Sequence, residues 1–218
     1  MIVIVSGLPR SGTSLMMQML HAGGMPLLID DHRLADLDNP KGYWEYAPVR
    51  RLHENNSWMP QAEGKALKVV SPLLQYLPPQ HCYKIVFMQR PLQEVLASQR
   101  VMLQRHGKED GATDDSTLGA LFEQHLERTE HWLAAQEHIT VLPVHYHTVV
   151  TEPTALANRV ATFIGLPLVV RAMAQVVDPG LHRQHLEAVR QEGNVLHAWT
   201  SLARQQASES RLSLSKNT

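Results

Sequence analysis

The chain opens on "IVIVSGLPRSGTSLMMQML" (residues 2–20): an apolar β-branched run, a turn holding two glycines five positions apart, and an apolar helical pattern. No other stretch limits the fold so tightly. Ile2 to Val5 include nothing polar to face water, which predicts a strand buried on both faces, the habit of parallel sheets. Leu15, Met16, Met19 and Leu20 share one helical face, and Gly23 and Gly24 close the helix. A strand that feeds a helix through such a turn aims backbone N–H groups at one point, where the helix dipole also favours an anion. Gly7 and Gly12 let the backbone curl, and Ser11, Thr13 and Ser14 add hydroxyls. A simple capped turn would use the same letters.

The remainder alternates. "KALKVVS" (65–71), "YKIVFMQR" (83–90) and "HITVLPVHY" (138–146) read as further strands. Helices are predicted from Pro91 to about Arg105, over 117–136, over "TEPTALANRVATFIG" (151–165), and over 168–177 and 180–205. Residues 25–44, broken by Pro26, Pro40 and Gly42, read as a long surface loop, as does 106–116. The expectation is an α/β, three-layer P-loop-type fold, a central mostly parallel sheet flanked by helices, in one domain over 1–205 with a disordered tail over 206–218. Ligands on such sheets sit outside the carboxyl ends of the strands.

Charge narrows the ligand. With 20 basic and 21 acidic residues the net charge is -1, so no global field draws nucleic acid, and any anion site must be local. A nucleoside triphosphate loop would place Lys where Thr13 stands, and would need a strand-end Asp for Mg²⁺; "KIVFM" ends instead in Gln89 and Arg90. Arg10, inside the turn, supplies the missing positive charge. A donor with one phosphate and one sulfonate has no need of the metal. Two His pairs, His145 with His147 and His182 with His185, lack an evident third ligand, so no metal site is expected. Ser14 lacks the Gly-x-Ser-x-Gly setting of a hydrolase nucleophile. A lone Cys82, an opening apolar run too short for a signal peptide and the lack of a membrane-length apolar stretch predict a cytoplasmic location with no stable membrane anchor.

"PRSGTS" between strand and helix resembles the 5′-phosphosulfate loop of the sulfotransferase family, whose members use 3′-phosphoadenosine 5′-phosphosulfate (PAPS). In that family a second segment, a strand ending in Arg and a helix with Ser eight positions on, grips the 3′-phosphate. Here "FMQRPLQEVLASQR" has Arg90 and Ser98 in those places. Read by themselves, Arg90 emerges at the sheet's carboxyl edge and Ser98 lies about two helical turns on, within reach of one oxyanion. A surface ion pair and a solvated serine are the plainer readings. The resemblance implies PAPS bound by Arg10, Ser11, Gly12, Thr13, Ser14, Arg90 and Ser98, with no metal.

Sulfonate transfer also asks for a base and for positive charge at the leaving oxygen. "LIDDHRLADLDNPKGYWEYAPV" (28–49) is crowded with carboxylates, and its "NPKGYWE" resembles a string in bacterial sulfotransferase-like sequences. Glu45, which ends the string, is the first candidate base; Asp31 and Asp36 follow, and His32 and His53 stay open. Glu45 would equally suit the first turn of a helix starting near Tyr46. Gly42 would turn the chain inward, with Tyr43 and Trp44 excluding water. Arg10 is the first candidate for the leaving oxygen and Lys68 the second, unless Lys68 faces solvent from its pleat. "VHYHTVVTEPTALANRVATFIGLP" (144–167) is similar to a supporting part of the family fold. The Arg-Lys-Gly tail element of cytosolic animal sulfotransferases is missing, which leaves Arg183, Arg190 or no residue as its substitute. A Mg²⁺-dependent kinase or NTPase, and a nucleotide-binding protein without catalysis, are the alternatives. Sugar, phenol and lipid-headgroup acceptors suit the loops 25–64 and 106–116 equally, and the oligomeric state is not legible.

Overall fold

Every residue of the first strand, β1 (Ile2–Gly7), is buried. β1 pairs in parallel with β2 (Ala66–Lys68) on one side and β3 (Tyr83–Gln89) on the other, and β3 pairs in parallel with β4 (Ile139–His145), giving the order β2-β1-β3-β4. This computed structural model describes residues 1–30, 32, 33, 35–105, 107, 115–178 and 180. The helices predicted over 180–205, with Arg183 and Arg190, and the tail over 206–218 lie outside the described residues, Gly180 excepted.

Successive side chains of a strand point to opposite faces, and β1 builds a core on each. Ile2 and Ile4 pack with Leu67, Phe87 and Val141, and with Leu133 of α3 (Asp115–Ala134). Val3 and Val5 pack with Met16 and Leu20 of α1 (Thr13–Ala22), Leu156 and Val160 of α5 (Pro153–Ile164), and Met173 of α6 (Val170–Gln175). The result is the expected three layers. Its chain order reverses direction at β1 and β3, so the crevice between their carboxyl ends is where a ligand would sit. The loop from β1 to α1 and the chain between β3 and α2 (Leu92–Arg105) leave the sheet at that crevice.

Three expectations change. β2 covers three residues rather than seven, because after Val69, whose N–H still reaches the Val5 carbonyl at 3.0 Å, the chain turns into a 3-10 segment, Ser71–Tyr76, with Pro72 in its first turn. Residues 25–30 are not loose surface chain. The Ala66 N–H donates to Pro26 O and the Leu28 N–H to Ala66 O, both at 2.8 Å, satisfying the outer edge of β2 that would otherwise stay open. After β4 a short helix, α4 (Tyr146–Thr151), takes Tyr146 from the expected strand and Thr151 from the expected helix, and Pro153 then opens α5.

Candidate active site

The loop from Gly7 to Gly12 closes on itself. Leu8 O accepts from the Ser11 amide at 3.2 Å and from Ser11 Oγ at 2.7 Å, so the buried Ser11 hydroxyl is spent inside the turn rather than turned outward as expected. Gly12 caps α1 with φ 100°, and a Cβ there would lie 2.4 Å from the ring of Tyr146. Only glycine fits. No side chain caps the helix, which leaves its first-turn N–H groups for an anion. Arg10 itself adopts φ 71°, a left-handed conformation uncommon for a residue with a side chain and typical of sites under functional constraint.

That conformation places Arg10 between the two segments singled out from the sequence. Its Nε donates to Ser98 Oγ at 3.0 Å and its Nη2 to Asp38 O at 3.2 Å, while Arg90 Nη1 donates to the Arg10 carbonyl at 3.2 Å. Arg10, Arg90 and Ser98 are therefore one assembly. Burial, with Arg90 adding to it, pulls the Arg10 pKa below its ordinary value against the opposing pull of Asp38, Tyr43 and Asp36. Arg90, 8% exposed at its side chain, is held by Glu94 Oε2 at 2.8 Å and lies 4.5 Å from the Tyr146 ring centroid. Glu94 and Tyr146 were missed in the sequence. The i,i+4 spacing from Arg90 to Glu94 was a visible signal; nothing local marks Tyr146.

The second assembly surrounds Ser14. Its Oγ donates to Tyr43 O at 3.2 Å and accepts from Asn39 Nδ2 at 2.9 Å and Lys68 Nζ at 3.3 Å. Lys68 also donates to Tyr43 O and pairs with Glu45 Oε1 at 3.2 Å. The solvent-facing reading of Lys68 fails, since its side chain is 6% exposed. Glu45 further holds Arg33 at 3.3 Å through Oε1 and Arg50 at 3.1 Å through Oε2. Its place as a helix first-turn acid is taken by Asp30, whose carboxylate accepts the Ala47 N–H at 2.5 Å where the 3-10 segment Ala47–Arg51 begins. Left-handed Gly42 and Trp44, at φ 86° and 55°, make the turn that presents Tyr43 and Glu45 inward.

Burial and pairing act differently on the two partners. Burial alone would raise the Glu45 pKa, but Lys68, Arg50 and Arg33 together hold it below the usual carboxylate value. Burial dominates at Lys68 and lowers its pKa despite Glu45, because one carboxylate does not repay the lost hydration of an almost fully enclosed ammonium. Tyr43 is pushed up to about 12 by burial and by donating to both oxygens of Asp36, at 2.9 and 2.8 Å. Asp36 is thereby committed. His32 is exposed, and His53 pairs with Glu54 at 3.3 Å and packs on Tyr76, with no bond to the Ser14 group. Asp31, His182 and His185 lie outside the described residues, and among the described residues no three His, Cys, Asp or Glu gather as a metal site. Thr13, buried, opens α1. A cavity of about 600 Å³, lined by Gln18, His21, Trp44 and Val176, includes none of Arg10, Ser14, Glu45, Lys68 or Arg90.

A family model described as "Sulfotransferase domain" matches residues 2–216. Among solved structures, a sulfotransferase domain from the curacin biosynthetic pathway aligns with TM-score 0.48 and 13% identity over 94% of this chain and 97% of its own. A sugar kinase from Janibacter sp. HTCC2649 aligns with TM-score 0.36 and 14% identity over 82% of this chain and 96% of its own. No curated protein sequence matches.

Proposed function

This chain belongs to the sulfotransferase domain family, and from that premise we propose that it moves a sulfonate group from PAPS to a hydroxyl or amine acceptor with Glu45 as general base. One observation carries the reading. Lys68 Nζ stands between Ser14 of the loop, at 3.3 Å, and Glu45, at 3.2 Å, so the anion end and the carboxylate end meet at a single buried cation.

The residues fit a donor with two anionic ends. Arg90, backed by Glu94 and Tyr146, and Ser98 would take the 3′-phosphate. The uncapped start of α1 at Gly12, with Thr13, Ser14 and Arg10, would take the 5′-phosphosulfate, and Ser11 would keep the turn closed. In the transfer, the bond from sulfur to the phosphate's bridging oxygen breaks and a bond from sulfur to the acceptor's oxygen, or to its nitrogen for an amine, forms. The leaving nucleotide keeps the electron pair, and the acceptor proton passes to Glu45. Arg10 or Lys68 would neutralise the charge that grows on the leaving oxygen. The buried Tyr43 side chain would keep water from the base.

The test pairs binding with turnover. 3′-Phosphoadenosine 5′-phosphate is expected to bind in calorimetry without Mg²⁺, and Glu45→Gln to keep that binding while single-turnover transfer slows by about two to four decades, the usual weight of a general base. Normal transfer by Glu45→Gln would remove Glu45 from the role, and a strict Mg²⁺ requirement would turn the reading toward a kinase.

A further inference from the structure

Glu45 is surrounded by more positive charge than it can answer. Lys68 and Arg33 share its Oε1 at 3.2 and 3.3 Å, and Arg50 holds Oε2 at 3.1 Å. Among the described residues the neighbouring carboxylates have other partners, although Asp36 also feels the charge of Arg33. Asp30 accepts the amides of His32 and Ala47, and Asp36 accepts the Tyr43 hydroxyl and the amides of Asp38 and Asn39. Glu54 pairs with Arg51 and His53, and Asp38 with Arg105. A carboxylate that accepts from three cations is poorly placed to take a proton from a neutral hydroxyl.

The three cations differ in reach. The Lys68 side chain is 6% exposed, that of Arg33 39% and that of Arg50 65%. Lys68 is a fixed part of the buried site. The two arginines meet solvent, where ion pairs are weak and change partner readily. Arg33 sits over Tyr43, with its guanidinium carbon 3.3 Å from the ring centroid, so this cation has a support that does not depend on Glu45.

We infer that the acceptor is a hydroxyl compound bearing its own anionic group, a carboxylate, phosphate or sulfate, and that this group takes Arg33 and Arg50 away from Glu45. The same contact that recognises the acceptor then restores the base. A neutral phenol or lipid alcohol would leave both arginines on Glu45. The inference rests on Glu45 being the base and specifies the substrate class for that site.

The test uses sulfonate-labelled PAPS, the full chain and a protein-free small-molecule extract of the source cells, with products resolved by charge. Label is expected in products that carry at least one negative charge besides the new sulfate. Arg33→Gln together with Arg50→Gln should lower kcat/KM for those products at least tenfold, with nucleotide binding kept as the sign of an intact fold. Label appearing mainly in products whose sole charge is the new sulfate, or an unaltered kcat/KM in the double variant, overturns the inference and leaves the sulfotransferase reading standing. No labelled product from the wild type overturns both.

Discussion

The two halves of the candidate site are built by different means. The half around Arg10, Arg90 and Ser98 hangs from the carboxyl ends of β1 and β3, adjacent and fully paired strands, and its conformation is enforced by backbone sterics at Gly12 and by the Leu8–Ser11 turn. The half around Glu45 rides on irregular chain between α1 and β2 and is held by side chains: Tyr43 on Asp36, Asn39 on Ser14, Lys68 on Tyr43 O and Glu45. On the proposed function, a donor end fixed by backbone sterics beside an acceptor end that includes the exposed ion pairs of Arg33 and Arg50 would suit a protein with one constant substrate and one variable one. The variable partner is then read by groups that can move.

Lys68→Met would break that contrast most sharply, since Lys68 bonds both Ser14 of α1 and Glu45. If Lys68 rather than Arg10 neutralises the leaving oxygen, its loss should slow transfer by about two decades or more. The fold should barely notice. Burial outweighs pairing at Lys68, Glu45 keeps Arg33 and Arg50, and the melting temperature is expected within about 3 °C of wild type or above it. A large fall in melting temperature would make Lys68 structural.

Arg90→Ala should act on the donor half alone. A charge-assisted contact to phosphate is worth about 1.5–3 kcal/mol, so calorimetry should show a loss of about one to two decades in affinity for 3′-phosphoadenosine 5′-phosphate and little loss for AMP. An equal loss for both nucleotides would move Arg90 away from the 3′ end.

The smallest expected effect is on pH dependence, and it belongs to the acceptor half. Glu45 works as a carboxylate, present above its lowered pKa, so kcat/KM should fall only as pH drops below the range of a free glutamate. Lys68 works as an ammonium, present below its own lowered pKa, so activity should fade on the alkaline side before a free lysine would titrate. Arg50→Ala removes one of the cations that hold Glu45 down and should shift the acid limb upward. An acid limb that stays in place would detach Arg50 from the base.

The loop, the two central strands and the placing of Arg90 and Ser98 near that loop were legible because their information is local: unbroken apolar runs, glycines at a strand end, an arginine and a serine at helical spacing. β2 and the chain along its edge were less so. Their bounds depend on which edge groups find partners, and Pro26 and Ala66 are forty positions apart. The "NPKGYWE" string named Glu45 without its surroundings.

By itself the sequence determined that a glycine turn would join a buried strand to a helix, because glycine placement and apolar period act within a few residues. Tertiary structure alone decided which groups meet there. Ser14 touches Lys68 across 54 positions, Arg10 reaches Ser98 across 88, and Glu45 gathers three cations from three segments. Such contacts follow from the parallel stacking of distant strands, which brings their carboxyl ends to one edge whatever their separation along the chain.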